Sequence, residues 1–275
     1  MIFVAKAKRP SRRKLCSIDL NIVRILATDR FSTRRELAKR FGEKPDSRRM
    51  QRRVRYLQKI GLIEPLIGDG DSRLGYRLSS YGKYVAARGN LAPVSVLQSR
   101  PTFKSQFDHD QIVNEVRETL ISSPIVSHFV SEAELRSQIC SSSSAGIGSD
   151  SHDWKVPDAM FTLRTRGGEM TVALEVELSQ KAKARYSKIV QALLTSRRFQ
   201  FVFVVCGNEK LQKLMVEAIS SARASNPFVR ASNRSNGIYF CQLDMLRRRR
   251  LDAPWTGETR TFTINELANE HVHNR

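Results

Sequence analysis

Apolar residues recur at helical spacing three times within the first sixty positions, and the period then shortens to two. Ile18, Ile22, Ile25 and Leu26 define one face of a helix over residues 18–27. Residues 31–38 predict a second helix, with Thr33 as N-cap and Glu36 three positions later in the capping-box pattern, ending near Phe41-Gly42. A third helix is expected to open around Asp46 or Ser47, with Met50, Val54, Leu57 and Ile60 on one stripe and its arginines off it. Two extended pieces follow, at residues 61–64 and 73–78. They flank Gly68-Asp69-Gly70-Asp71, and Tyr81 begins a further helix. Helix, helix, basic helix and hairpin is the order of a winged helix-turn-helix, assigned to residues 15–95. In that architecture the third helix enters the DNA major groove and the wing touches the backbone or minor groove. Arg48, Arg49, Arg52, Arg53 and Arg55 are the expected recognition-helix contacts. Arg34 and Arg35 join them from the preceding helix, and Arg73 and Arg77 from the wing.

Residues 89–105 lack periodicity and contain Gly89, Pro93 and Pro101, which places a domain boundary there. A second domain is expected over residues 105–250. Ile112, Val116 and Leu120 share a helical face, and residues 125–130 read as extended. A Ser-rich loop at 141–151 precedes a hairpin of residues 160–166 and 170–178 about Gly167-Gly168. Residues 180–194 predict a helix with Ala184, Ile189 and Leu193 inward and Lys181, Lys183, Arg185 and Lys188 outward. Residues 201–205 read as a buried strand, 211–222 as a helix and 237–241 as a last strand. The fold class is therefore α/β (α+β). Residues 1–14 are expected to be a flexible basic arm and 251–275 a C-terminal tail.

Charge sharpens this picture. The formal net charge is +20, and residues 1–60 hold nineteen Lys or Arg against five acids. A polyanion is the natural partner of that half, because phosphates neutralised by Lys or Arg release counterions. Residues 101–200 balance at twelve against twelve, and Arg247-Arg248-Arg249-Arg250 forms a separate basic run, either a second phosphate contact or a solvated helix end. No apolar run of eighteen residues exists, so no membrane partner is expected, and the start lacks a signal-peptide core. Four scattered cysteines without a paired motif point to free thiols in a reducing cytoplasm.

The candidate chemistry lies in the predicted hairpin. Val156-Pro157-Asp158-Ala159 is followed by Glu175-Val176-Glu177, and residues two apart on a strand share a face. Carboxylates so placed repel one another unless a cation sits among them or they remain in water. Hard cations such as Mg²⁺ take a few carboxylate oxygens and keep several waters. Either a metal-dependent phosphodiester site or a solvated acidic strand face satisfies the spacing.

Three stretches give the chain a resemblance. They are His109-Asp110-Gln111-Ile112-Val113-Asn114-Glu115-Val116-Arg117, then Val156-Pro157-Asp158-Ala159, and Val172 to Lys181 with Arg185-Tyr186 after it. The element order around them resembles the restriction-endonuclease-like PD-(D/E)XK fold. The whole chain is similar to the plasmid replication–relaxation family, whose members join a winged helix to such a core. The resemblance implies that Asp158 and Glu175 hold Mg²⁺ or Mn²⁺, with Glu134, or less favourably Glu115, completing the shell. It implies double-stranded DNA as substrate, nicked during plasmid or conjugative-element mobilisation. The lysine of the pattern is replaced here by Glu177, so Lys181 or Lys183 would have to reach back from the following helix, or Glu177 would bind a second metal. Tyr186 is the candidate for a covalent nucleophile. The rival reading is a non-catalytic accessory factor or regulator with a degenerate nuclease-like core. It would bind DNA through the winged helix and use the second domain for homodimerisation or for docking other mobilisation or replication proteins.

Overall fold

A computed structural model describes residues 15–67, 73–92, 97, 104–143, 155–196, 198–225, 237–258 and 260–272. The chain forms two compact units, Met1–Lys104 and Ser105–Arg275. The expected basic arm, the tip of the wing and most of the Ser-rich loop lie outside the described residues.

The first unit is a winged helix-turn-helix. It contains α1 (Ser17–Thr28), α2 (Arg34–Arg40), α3 (Arg48–Lys59), β1 (Ile63–Ile67), β2 (Arg73–Leu78) and α4 (Ser80–Arg88). The capping box of α2 forms as its residues dictate: Glu36 N–H donates to Thr33 Oγ1 at 3.2 Å and Thr33 N–H to Glu36 Oε2 at 2.7 Å. Ser47 caps α3 by accepting from Met50 N–H at 3.2 Å. The strands β1 and β2 pair antiparallel, and Ser32, between α1 and α2, bridges to Tyr76 through two backbone bonds of 3.0 and 2.9 Å. The core gathers Ile22, Leu26, Leu37, Met50, Val54, Leu57, Leu62, Leu78 and Ala86, so all four helices and the wing share one apolar centre. The helix α4 closes against the residue before β1 so tightly that a Cβ on Gly82 would lie 1.9 Å from the Leu62 carbonyl oxygen.

The second unit is built on one mixed sheet. Its elements are α5 (Lys104–Leu120), β3 (Val126–Ser131), α6 (Glu132–Ser143), β4 (Ala159–Thr165), β5 (Gly168–Glu177), α7 (Lys183–Thr195), β6 (Phe201–Cys206), α8 (Glu209–Ser225), β7 (Ile238–Gln242), α9 (Leu243–Arg249), a 3₁₀ turn (Arg250–Asp252), β8 (Trp255–Thr256), β9 (Thr261–Phe262) and α10 (Ile264–Val272). The seven strands lie in sequence order. The pairs β3–β4, β4–β5, β7–β8 and β8–β9 are antiparallel, whereas β5–β6 and β6–β7 are parallel. Parallel neighbours need a crossover, and α7 and α8 supply them. Apolar clusters cover both faces. One joins α5, α9 and α10 to Leu174, Phe203 and Trp255. The other joins α7 and α8 to Ala173, Val202 and Val204. Burial on both sides explains why β6 is a continuous apolar run. A helical first unit followed by a mixed sheet with helices on both faces bears out the mixed α/β fold class read from the sequence.

Three sequence expectations are corrected. Residues 251–275 are not a tail over their described part. The strands β8 and β9 extend the sheet, α10 packs on the core and Trp255 is completely buried. The helix after the hairpin begins at Lys183 rather than Gln180, and its inward positions are Tyr186, Val190 and Leu193, while Ala184 is exposed. The hairpin turn is Arg166-Gly167, because Thr165 pairs with Gly168, and Gly168 takes the positive φ of 110° that a β-carbon disfavours.

Candidate functional site

Two separate surfaces hold the candidate residues. On the first unit, α3 buries Met50, Val54 and Leu57 and turns Arg48, Arg49, Arg52 and Arg55 to solvent. Arg49 lies 3.5 Å from Glu43, a contact that leaves the guanidinium accessible. Arg35 on α2 is exposed and Arg34 half-buried. Arg53 has a different occupation from the other four. Its guanidinium lies 3.3 Å from the carboxylate of Asp19, which is fully buried on α1 and also accepts the Cys16 N–H at 3.0 Å. Asp19 falls on the inward face beside Ile22 and Val23, so a cation must meet it there. Arg53 therefore ties α3 to α1. Arg77 on the wing pairs with Glu64 across the β1–β2 ladder at 2.8 Å, both half-exposed. Arg73 opens β2, and its side chain lies outside the described residues.

On the second unit the acids meet at one end of the sheet. Ala159 pairs with Leu174, so Asp158, one residue earlier, falls beside Glu175, one residue later. Glu175 and Glu177 share a face of β5 and are only 7 % and 5 % exposed. The solvated-strand alternative is therefore excluded: these carboxylates are inside. Asp158 Oδ2 accepts the Val176 N–H at 2.7 Å and lies 3.3 Å from His109 Nε2. That ring nitrogen is also 3.0 Å from the Val176 carbonyl oxygen, and Nδ1 lies 3.6 Å from Asp110. Lys155 Nζ donates to Glu175 Oε2, and Lys181 Nζ donates to Glu177 Oε2. Glu175 Oε1 is buried without a hydrogen-bond partner among the described residues.

The electrostatics follow from this crowding. Burial pushes the Glu175 carboxyl up to about 7; Lys155 opposes the rise and Asp158 adds to it. Burial acts on Asp158 in the same sense, but the hydrogen bond and charge of His109, with Lys155 and the Val176 N–H, outweigh it and hold Asp158 below its ordinary value. Burial works against a charged His109, yet its bonds to Asp110 and Asp158 prevail and raise the imidazole to about 10. The site thus presents an ionised Asp158, a protonated His109 and a Glu175 that titrates near neutrality.

Several expected residues are used elsewhere. Glu134 Oε2 accepts the Ser131 N–H and hydroxyl, each at 2.8 Å, and so caps α6 instead of joining the acids. Glu115 forms a bidentate pair with Arg247. Among the described residues no group of three or more acids, histidines or cysteines is arranged to hold a metal, so the expected three-acid set is not assembled. Asp158 and Glu175 still fit a hard divalent cation. They are two adjacent carboxylates, and one buried oxygen has no described donor. Lys181 does return to the acids, though from the segment before α7 rather than from the helix. The side chain of Lys183 lies outside the described residues. Tyr186 is buried, accepts the Lys181 N–H and donates to the Ser179 carbonyl, both at 3.2 Å, and burial raises its phenol above the ordinary value. Those features suit a strut rather than a nucleophile. His109 and Lys155 were not among the expected site residues. His109 stands in a stretch that carries the family resemblance, and Lys155 lies three positions before Asp158, but nothing in the spacing tells which acid either one meets.

No known family matches the chain, and no curated protein does. Among solved structures, a point mutant of ZitR from Lactococcus lactis aligns with 54% of this chain and 84% of its own, at 18% identity and a TM-score of 0.23. That level of likeness defines neither fold nor function.

Proposed function

We propose that the chain binds duplex DNA through its winged helix and cleaves a phosphodiester bond at the Asp158–Glu175 site, as a nicking protein of a plasmid or conjugative element. The mobilisation role rests on the sequence resemblance. One observation carries the chemical part: a buried Glu175 beside a half-buried Asp158 at a sheet end, with Lys155 drawn onto Glu175 and Lys181 onto Glu177. In the reaction a water oxygen attacks phosphorus and loses a proton, the bond to one deoxyribose oxygen breaks, and that oxygen takes up a proton from solvent. Asp158 and Glu175 would hold Mg²⁺ or Mn²⁺, which polarises the phosphate and acidifies bound water. Lys155 and Lys181 offset the charge that grows on the phosphorane oxygens. His109 and the Val176 N–H fix the orientation of Asp158. On α3, the exposed Arg48, Arg49, Arg52 and Arg55 meet phosphates and base edges.

A second reading has its own observation. Each acid already faces a protein cation: Glu175 with Lys155, Glu177 with Lys181 and Asp158 with His109. A core neutralised in this way would need no metal, and the protein would then be a DNA-binding accessory factor or regulator. Supercoiled plasmid incubated with Mg²⁺, Mn²⁺ or chelator separates the two. Metal-dependent open circles from wild type, absent with Asp158→Asn and Glu175→Gln, support the nuclease. Retarded but uncut DNA under every condition supports the accessory factor.

A further inference from the structure

The second unit carries a basic run that the carboxylate site does not use. Arg247, Arg248, Arg249 and Arg250 close α9, and all four are exposed. Arg247 is oriented by its two-pronged pair with Glu115. Among the described residues, Arg248, Arg249 and Arg250 take part in no ion pair or side-chain hydrogen bond, so their charges face water unbalanced.

Their position relative to the acids follows from the topology. Glu177, Cys206 and Gln242 stand in one row across β5, β6 and β7, and α9 leaves the sheet from that row. The helix α5 gives a second measure. His109, on the Asp158 carboxylate, and Glu115, on Arg247, are six positions apart on that helix, a rise of roughly 9 Å. Along α5 the anchor of Arg247 is thus one or two turns from the site, while around the sheet α9 packs on the Leu174 face, opposite the face that carries Glu175 and Glu177, so the run flanks the same sheet end without reaching the acids themselves.

Arg250 adds an independent observation. It has φ 55° and ψ −120°, a backbone conformation in which glycine is the residue without strain. A long cationic side chain kept in a glycine conformation points to a use for the side chain itself.

We infer that Arg248, Arg249 and Arg250 form a phosphate-binding flank that seats the DNA strand beside the carboxylate site. The inference rests on the reading of this chain as a DNA-binding protein. It adds a second contact region, separate from the winged helix.

The test uses the full chain and a fluorescent duplex, with anisotropy titrations from low to high salt. The variants are Arg248→Ala/Arg249→Ala/Arg250→Gly, the α3 set Arg48→Ala/Arg52→Ala/Arg55→Ala, and both together. Loss of three phosphate contacts should lower the slope of log affinity against log salt by about 2.7. In the α3 background, residual binding should fall a further tenfold or more. Arg250→Gly alone should leave the thermal midpoint unchanged or raised, because it relieves the turn. Unchanged slope and affinity in both backgrounds would overturn the flank, and so would a midpoint that drops with the triple change, since that marks the arginines as structural. If only the α3 set weakens binding, the winged-helix reading stands and the flank fails. If wild type binds no duplex, both fail.

Discussion

Replacing Arg53 by alanine should unfold the first unit more readily while barely touching its grip on DNA, although its neighbours on the same helix do the reverse. The perturbation removes the cation that faces Asp19 at 3.3 Å. Stripping one partner from a buried pair costs about 3–5 kcal/mol, because the other charge is left without compensation. Two features reduce that figure here. Arg53 is 31% exposed, so water can take part of its place, and Asp19 keeps the Cys16 N–H at 3.0 Å. The expected loss is then about 2 kcal/mol, or a fall of roughly 8–16 °C in the midpoint of a unit this size. Arg53→Met with Asp19→Asn should recover most of it, since neither partner is then a buried charge and the asparagine oxygen can still cap. Both tryptophans of the chain, Trp154 and Trp255, belong to the second unit. Tryptophan emission therefore follows that unit alone, and a urea titration read by circular dichroism against emission isolates the first. Arg52→Ala is the control: exposed and without an acidic partner among the described residues, it should leave the midpoint in place and lower the salt slope of DNA binding by about 0.9. If Arg53→Ala leaves the midpoint within about 0.5 kcal/mol of wild type and weakens DNA binding like Arg52→Ala, Arg53 is a contact and the argument from Asp19 is wrong.

Glu175 makes the second unit pH-sensitive. Its carboxyl holds the proton to about 7 in the folded chain against about 4.5 unfolded, so stability present below 4.5 is lost as pH rises through 7. Glu175→Gln should flatten that fall, seen as urea midpoints by tryptophan emission at pH 5 and pH 8. Mn²⁺ affinity measured by calorimetry should rise between pH 6 and 8 in wild type and not in that variant, as the ligand must be ionised. Gly82→Ala should cost on the order of 3 kcal/mol in the first unit, because the clash at 1.9 Å is with backbone that cannot rotate away; a dichroism melt checks it. Tyr186→Phe should lower nicking several-fold while metal binding persists, since it frees the segment that aims Lys181 at Glu177. An equal loss of metal affinity would refute that role.

Local chemistry was readable in the chain and long-range pairing was not. The Thr33–Glu36 capping box and the stripe on α3 are interactions within a few residues, so the sequence states them directly. The neighbouring placement of Asp158 and Glu175 was readable because a tight hairpin fixes the register between them. Lys155 reaches Glu175 over twenty positions, and Arg53 reaches Asp19 over thirty-four. No periodicity encodes either contact. Asp19 looked like a polar position on a helix that also had to bury its neighbours. The strands β8 and β9 are two residues each, too short for an alternation to register, so the helix and the tryptophan after β7 passed for a tail. Glu134 fitted an acid beside the site by type and place, and the capping of its own helix won.

The late position of Trp255 and α10 in the chain sets an order on biosynthesis. The second unit cannot close its core until residues beyond Phe262 have left the ribosome, because Trp255, Phe262, Ile264 and Leu267 belong to the same cluster as Val116 and Leu120 of α5. At roughly 5–20 residues per second, that wait lasts roughly 10–30 s after the first unit has emerged. The first unit draws its core from its own helices and wing, and can fold during that interval. The arginine face of α3 is therefore in place on a nascent chain whose sheet still lacks one side of its packing. Slowing translation across α8 and β7 would lengthen that half-finished state, with β7, an apolar strand, awaiting the short strand that covers its edge.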